Sequence, residues 1–285
     1  MKLILKVLGG VALLVVAAVV GVLLVGSRNL SRSYDVPPHA ISLDGADAAE
    51  GQRLATTYAC TLCHGGDLAG SDFLQGMPMA DLPASNLTGR RFSVPEIERA
   101  VRHGLGADGR PLMIMPARAY SGMSDEDLAD LAAYIHSIPE VSTRLIERRV
   151  GPIGRLAAAM SPAELVTGSA VDHEAEHPVA TPLGDGRYQT SLCRFCHGED
   201  LGGRMFTADA PMWAPNLTPH PTGIGGWTLD RFKAALQEGR KGDGSELDPD
   251  HMPWPAFSAF TDAELQTVWD HLNSLTPIDR SPPVE

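Results

Sequence analysis

The chain has 285 residues, enough for two domains of ordinary size that each bury a core. Its formal net charge is −12, which excludes nucleic acid as the expected partner because phosphate binding requires a basic surface. The same charge either favours encounter with a basic protein partner or serves solubility alone. The 22 prolines and 29 glycines indicate many turns.

An apolar segment opens the chain. Residues 7–26 contain neither charge nor proline, and at about 1.5 Å per residue they span roughly 30 Å, the thickness of a bilayer core. A cleaved signal peptide is the alternative, but its apolar region is shorter and ends in a small-residue cleavage site, which Val25-Gly26-Ser27 matches poorly. We therefore predict an uncleaved membrane anchor within residues 1–30 and a polar, proline-containing stalk over residues 31–42.

Beyond the stalk, the sequence repeats itself at an offset of about 133 residues. A Cys-x-x-Cys-His motif, an Asn-Leu-Thr triplet and a Met-Pro dipeptide recur in the same order. Their positions are Cys60–His64, Asn86–Thr88 and Met115-Pro116, then Cys193–His197, Asn216–Thr218 and Met252-Pro253. The repetition predicts two domains of the same fold over residues 43–140 and 181–285, joined by a linker over residues 141–180.

Each repeat also contains two segments with helical start and stop signals. A Ser or Thr opens each segment as an N-cap, and a glycine or a proline follows its end. The pairs of signals are Ser93 and Gly104, Ser124 and Pro139, Thr228 and Gly239, and Thr261 and Pro277. No strand-like alternation competes, so the predicted fold class is all-α: an N-terminal transmembrane helix followed by two small helical domains. A further short helix is expected near residues 153–166.

The four cysteines all lie in the two Cys-x-x-Cys-His motifs, which are the attachment signature of c-type haem. In this chemistry the two thiols add to the haem vinyl groups and the histidine binds the iron. We therefore predict two covalently bound haem c groups, held by Cys60, Cys63 and His64 and by Cys193, Cys196 and His197. The alternatives are a Cys₄ zinc site, which needs no histidine after the second cysteine, and a thioredoxin-like redox pair, which should follow a βαβ pattern.

A second axial ligand for each iron must come from elsewhere in each repeat. Met115 and Met252 are the candidates, lying 51 and 55 residues after their histidines, because a thioether stabilises ferrous iron and raises the reduction potential. Met113 competes with Met115 but has no counterpart in the second repeat, and His251 offers bis-histidine ligation instead of Met252. The remaining histidines show no ligand-like spacing and receive no predicted role; they include His103, His136, His173, His177, His220 and His271.

On these motifs the chain resembles the class I c-type cytochromes, and especially the multihaem cytochrome c subunits of membrane-bound bacterial alcohol and gluconate dehydrogenases. The second repeat resembles them most closely, through Ala214–Thr218, Thr222–Thr228 and His251–Trp254; Ser85–Thr88 and Met115-Pro116 are a looser match. Those subunits usually carry three haems, whereas this chain has two attachment motifs.

The resemblance implies that Met115 and Met252 are the distal haem ligands. It also implies that electrons pass from a dehydrogenase toward quinone or a terminal acceptor. The haem domains would lie in the periplasm, anchored by a single pass through the bacterial inner membrane.

The predicted function is therefore a membrane-anchored dihaem electron carrier of a periplasmic respiratory chain, with redox proteins as partners and no catalytic residues. A carrier of this kind keeps both irons six-coordinate, so that only the haem edge meets the partner. One alternative is a dihaem enzyme of the peroxidase or thiosulfate dehydrogenase type, with one open haem position. Another is a haem-bearing subunit of a terminal oxidase.

Overall fold

The computed structural model describes residues 2–37, 39–207, 211–241 and 243–282. Its first element is the helix α1 (Lys2–Ser31), in which Gly26 alone is buried, and which is long and apolar enough to cross a membrane by length and composition. The helix extends beyond the predicted apolar segment into polar residues. These last turns pack on the linker.

The first repeat folds as a unit around a single apolar core, which we call unit one. Its elements are α2 (Ala48–Thr57), α3 (Cys60–His64), β1 (Ser71–Gly76), β2 (Ala80–Ala84), α4 (Val94–His103), α5 (Ala117–Tyr120) and α6 (Asp125–Ser137). Helices α2 and α6 pack face to face, with Leu54, Leu128 and Leu131 buried between them and beside Ile97 and Val101 of α4. These are apolar residues at helical spacing, so burial of one stripe per helix builds the core.

The linker has structure of its own and packs on both α1 and unit one. It contains β3 (Arg149–Val150), α7 (Pro152–Met160), α8 (Pro162–Leu165) and a 3₁₀ turn (Thr167–Ala170). The helix expected near residues 153–166 is therefore present as two helices, separated at Ser161 because Pro162 begins the second. Helix α7 lies against the last turns of α1.

The second repeat, unit two, has the same order of elements. They are α9 (Gly186–Gln189), α10 (Cys193–His197), β4 (Arg204–Thr207), β5 (Pro211–Ala214), α11 (Leu229–Gln237), α12 (Trp254–Phe257) and α13 (Asp262–Ser274). Its core is smaller and contains Leu201, Phe232, Leu265, Val268 and Leu272. The internal repeat in the sequence is therefore also a repeat of structure.

The expectation of no strands was wrong, because each unit carries a short β-hairpin directly after its Cys-x-x-Cys-His helix. Strands β1 and β2 pair antiparallel and β3 of the linker extends that sheet, while β4 pairs with β5. Strand β1 lacks regular alternation of buried and exposed residues, and its register with β2 shifts between Ser71 and Leu74. Such short, irregular strands lack the period-two pattern by which sequence indicates a sheet.

The predicted helix signals are confirmed. Ser93 forms a capping box with Glu96, and the helix it opens ends at Gly104 in the left-handed conformation, with φ of 62°. Glycine is required at this end, because a Cβ there would lie 2.7 Å from the Cβ of Ala117. Thr261 forms the corresponding capping box with Glu264.

The two units contact each other through polar groups. The guanidinium of Arg53 on α2 bonds Glu264 on α13 at 2.9 Å, and it also donates to the carbonyl oxygen of Ala259 at 3.1 Å. The hydroxyl of Tyr188 donates to the buried carboxylate of Asp127. These groups border a cavity of about 190 Å³ between the units.

Candidate haem sites

Each Cys-x-x-Cys-His motif forms its own short helix, α3 in unit one and α10 in unit two. In unit one the chain enters α3 through Ala59, whose left-handed backbone (φ 59°) breaks α2 and starts a new helical direction. Both cysteines and the histidine of a motif then lie within little more than one helical turn. This arrangement places two thiols and one imidazole together, as the sequence predicts.

The ring of each motif histidine is oriented by a backbone carbonyl. The Nδ1 of His64 lies 2.8 Å from the carbonyl oxygen of Ser85, and the Nδ1 of His197 lies 2.7 Å from that of Pro215. A carbonyl only accepts, so Nδ1 must carry the proton and donate, which leaves the lone pair on Nε2 for a metal. Burial lowers the pKa of both histidines and favours this neutral form.

The backbone around the motif is the same in both units. Leu68 and Leu201 are fully buried, and both adopt the left-handed conformation with φ of 56°. Their carbonyl oxygens accept hydrogen bonds from the backbone N–H of Leu87 at 2.9 Å and Leu217 at 2.8 Å. These bonds tie the segment after the motif to the Asn-Leu-Thr triplet, so the two sites share one scaffold.

The asparagine of the triplet holds the segment that orients the histidine. In unit one, Asn86 Oδ1 accepts from the N–H and hydroxyl of Thr88 at 2.9 and 2.7 Å. Its Nδ2 donates to the carbonyl oxygen of Val141 at 2.7 Å. Ser85, whose carbonyl fixes His64, directly precedes this asparagine. The sequence marks Asn86 as a repeat landmark but does not predict this function.

Unit two repeats the arrangement more deeply inside the protein. Asn216 Oδ1 accepts from the N–H and hydroxyl of Thr218 at 2.8 and 2.7 Å. Its Nδ2 donates to the carbonyl oxygen of Ile278 at 2.6 Å and to the hydroxyl of Thr222 at 3.1 Å. The chain after α13 is thereby fastened to the segment whose Pro215 carbonyl orients the histidine.

The electrostatics of the cysteines argue against a redox dithiol. Burial, assisted by the neighbouring Cys63, raises the pKa of Cys60 to about 12, and burial with Cys196 nearby raises that of Cys193 to about 11. Reactive dithiol pairs have a lowered pKa instead. Nor does any of the four cysteines belong to a cluster of three or more metal-ligand side chains within residues 2–37, 39–207, 211–241 and 243–282, as a Cys₄ zinc site would require.

The candidate distal ligands differ from their competitors in their surroundings. Met115 is half-buried and packs against the core of unit one, whereas the backbone of Met113 pairs with Val166 of the linker. In unit two, Met252 is half-buried, while the side chain of His251 is 68 % exposed and lies 3.6 Å from Asp248.

Unit two also contains a buried hydrogen-bond donor without a partner among the described residues, which fits a ligand that bears carboxylates, as haem does. The indole Nε1 of Trp254, two residues after Met252, has no hydrogen-bond partner within the part of the chain that the structure describes. Its ring covers Gly239, where a Cβ would lie 2.3 Å from the ring. The donor set of each unit therefore fits haem c: two thiols, an oriented neutral imidazole and a thioether.

Comparison with known proteins agrees with this assignment. Residues 46–135 match the family model described as cytochrome C oxidase, cbb3-type, subunit III. Unit one is thus a cytochrome c domain, the class of protein that carries covalently bound haem c. The family resemblance inferred from the motifs is confirmed.

Several relatives are cytochrome subunits of dehydrogenases. The chain is 27 % identical over 277 residues to the cytochrome c subunit of alcohol dehydrogenase (quinone) from Gluconacetobacter polyoxogenes, covering 84 % of this chain and 58 % of the relative. It is 25 % identical over 297 residues to the fructose dehydrogenase cytochrome subunit from Gluconobacter japonicus, covering 90 % and 58 %. For the gluconate 2-dehydrogenase cytochrome c subunit from Pantoea cypripedii the identity is 33 %, over 32 % of this chain and 23 % of the relative. The chain thus spans 58 % of the length of the first two relatives.

Proposed function

We propose that this protein is a membrane-anchored dihaem c-type cytochrome that transfers single electrons in a periplasmic respiratory chain. The observation that supports the proposal is the recurrence of one arrangement in both units: motif helix, oriented histidine and asparagine-held loop. Haem c supplies a reversible one-electron change at iron. The residues of the chain attach it, orient its ligands and limit access to it.

The covalent attachment and the proximal ligands come from the two motif helices. The thiol pairs would form the thioether links to haem c, and each histidine would bind iron through Nε2, since its Nδ1 is engaged by a carbonyl. The residues proposed for these roles are Cys60, Cys63, His64, Cys193, Cys196 and His197.

We assign the distal positions to Met115 and Met252. The packing of half-buried Met115 against the core supports this assignment, as does the exposure of His251, whose side chain lies 3.6 Å from Asp248. A thioether ligand raises the reduction potential and occupies the coordination site that an enzyme would keep open for substrate. With both irons closed to substrate in this way, the protein would act as an electron carrier. Replacing each methionine tests this assignment.

Contacts between the units support electron passage within one chain. Helix α5 begins two residues after Met115 and lies against α10, which carries Cys193 and His197. The guanidinium of Arg118 on α5 bonds Glu199 at 2.5 Å across this contact. The elements that carry one site thus contact the elements that carry the other. An electron could therefore pass from one haem to the other without dissociation of a protein partner.

Retention of α1 as a membrane anchor is part of the same proposal. The amide of Asn29 donates to the carbonyl oxygen of Ala158 on α7 at 2.9 Å, and Arg155 donates to the hydroxyl of Ser27 at 2.9 Å. At Gly26 a Cβ would lie only 1.8 Å from a carbonyl oxygen of α7. Cleavage after Ser27 would remove the contacts of Gly26 and Ser27 with α7. With the haem domains in the periplasm, the N-terminus of the single-pass anchor lies in the cytoplasm.

The proposed electron donor is a membrane dehydrogenase. The relatives named above are cytochrome subunits of alcohol, fructose and gluconate dehydrogenases. The net charge of −12 suits a partner with a basic docking surface, since complementary charge raises the rate of encounter. Steady-state transfer from such a dehydrogenase should therefore slow as ionic strength rises.

The distal ligands are tested by Met115→Ala, Met252→Ala and the matched control Met113→Ala in the purified holoprotein. Each of the first two variants should lose about half of the red-region band that marks sulfur–iron ligation, and the altered haem should have a lower potential. The control should retain the whole band and both potentials.

Carbon monoxide distinguishes the carrier from an enzyme. The reduced wild-type protein should bind it poorly, because no coordination site is open, whereas each methionine variant should bind it at one haem. Rapid binding at one wild-type haem contradicts the carrier and supports a dihaem enzyme with an open site.

A further inference from the structure

A group of ligand-type side chains lies where the linker crosses α4, and the proposed electron transfer makes no use of it. Glu98 and His103 of α4 and His177 of the linker each bring one ligand atom to within 4.8 Å of the others. Glu98 is 0 % exposed and His103 4 % exposed. The sequence assigned these histidines no role, because residues so far apart in the chain form no recognisable motif.

The buried carboxylate lacks the partners that burial demands. Neither oxygen of Glu98 takes part in a hydrogen bond among the described residues, and the same holds for the buried Nδ1 of His177. The ionic neighbours described for Glu98 are His103 Nε2 at 3.3 Å and Arg102 at 3.8 Å. A buried carboxylate in such surroundings destabilises the fold unless a cation approaches it closely.

Arg102 supplies that cation only in part, because two of its three guanidinium nitrogens are committed elsewhere. Its Nη1 lies 3.8 Å from Glu98 and makes no hydrogen bond among the described residues. The other two nitrogens donate to the carbonyl oxygen of Met123 at 2.7 and 3.0 Å, and one of them pairs with Asp125 at 2.7 Å. In unit two, Gln237 occupies the equivalent position on α11 and donates to the equivalent carbonyl, that of Phe260, at 3.5 Å. Arg102 thus performs a structural function that both units need.

The ligand-type residues, in contrast, belong to unit one alone. Counted from the helix caps, Glu98 corresponds to Lys233 and His103 corresponds to Glu238. Lys233 pairs with an acidic residue at the helix surface instead of entering the interior. A cytochrome c unit therefore folds without this cluster, and packing of the unit does not explain it.

His103 is also oriented as a metal ligand would be. Its Nε2 faces Glu98, while its Nδ1 lies 3.1 Å from Nδ1 of His173. Ligating histidines almost always have their second ring nitrogen held by a hydrogen-bond partner, most often a carboxylate, a backbone carbonyl or water, and here that partner is His173. His173 is itself positioned by Tyr34 of the stalk, with ring centroids 5.0 Å apart. Burial lowers the pKa of His177 and His173, which favours neutral imidazoles.

We propose that Glu98, His103 and His177 bind a Zn²⁺ ion that fastens the linker to unit one. Two imidazoles and a carboxylate form a recognised zinc ligand set, with water at the fourth position. Bond lengths of about 2.0–2.1 Å place tetrahedral ligand atoms about 3.4 Å apart. The 3.3 Å separation of Glu98 and His103 fits this spacing, and the other ligand-atom separations, which are no longer than 4.8 Å, would shorten as the ion binds.

The test uses the full-length holoprotein in detergent, stripped with a chelator and titrated with ZnCl₂ by calorimetry. One Zn²⁺ per chain should bind, and Glu98→Gln and His177→Gln should each weaken it by about tenfold or more. The matched control is His220→Gln in unit two, which should bind as the wild type does. The visible haem spectrum and thermal melt of each variant report whether it has folded.

X-ray absorption at the zinc edge of the wild-type complex makes the test independent of how the variants fold. Scattering from two imidazoles and a low-atomic-number oxygen shell supports the site. Absence of Zn²⁺ binding, a spectrum without imidazole scattering, or unchanged affinity in folded Glu98→Gln and His177→Gln overturns it. The cluster would then be a buried polar contact between α4 and the linker.

Discussion

Replacement of Asn216 by alanine tests whether the Asn-Leu-Thr triplet supports the site of unit two. Asn216 is 2 % exposed, and its side chain satisfies the N–H of Thr218 and the carbonyl oxygen of Ile278. Each buried polar group left without a partner costs about 1–3 kcal/mol, and water entering the vacated space recovers part of that. We therefore expect a loss of about 3 kcal/mol in the local stability of unit two.

Asn86→Ala should cost less, about 1–2 kcal/mol in unit one, because Asn86 is only half-buried and water can replace its bonds. Hydrogen exchange with mass spectrometry separates the units, since α6 and α13 give different peptides. In Asn216→Ala, protection of α13 should fall by about two orders of magnitude while α6 is unchanged. The control Asn273→Ala removes an exposed amide that bonds only its own helix, and should change little.

An equal loss of protection in both units, or a loss in Asn216→Ala no larger than in Asn273→Ala, would refute this reasoning. The first result would mean that the asparagine acts on the protein as a whole. The second would mean that the loop holding the Pro215 carbonyl keeps its position without the side chain.

Three further predictions follow from contacts around the sites. Tyr188→Phe removes the donor to Asp127 and should lower the urea midpoint of unfolding by the equivalent of about 1 kcal/mol. Arg280→Met removes the hydrogen bond that lowers the pKa of Asp200, so the variant should be less stable near neutral pH. A depressed folded-state pKa stabilises fully above the unfolded value, and this stabilisation is lost as pH falls through the folded-state pKa. The deficit should therefore begin to shrink below about pH 4 and disappear at still lower pH in pH-dependent melts. Gly26→Leu forces α1 away from α7, so proteolysis of the linker in detergent should accelerate, and an unchanged rate would contradict the packing.

The parts of this fold that could be predicted from sequence are those encoded locally. The capping residues Ser93 and Thr261 and the terminal Gly104 each act on backbone groups a few residues away, so their patterns carry the information. The Cys-x-x-Cys-His motifs are equally local, because both thiols and the imidazole lie on one five-residue helix.

The remaining features depend on residues distant in the chain. Asn86 reaches Val141, and His103 meets His177, through packing of the linker against unit one. No periodicity in the sequence indicates contacts between residues so distant in the chain. The hairpins were missed for a related reason: their strands are too short and irregular to alternate, and the pairing itself supplies the hydrogen bonds that define them.

The most direct test of the central claim is the mass of the purified chain under denaturing conditions, after acid–acetone extraction of unattached haem. Two covalent haems per intact polypeptide are expected, and one should remain in the double variant Cys193→Ser, Cys196→Ser. A wild-type polypeptide carrying one haem or none, with haem recovered in the extract, would contradict the assignment of a haem c site to each unit.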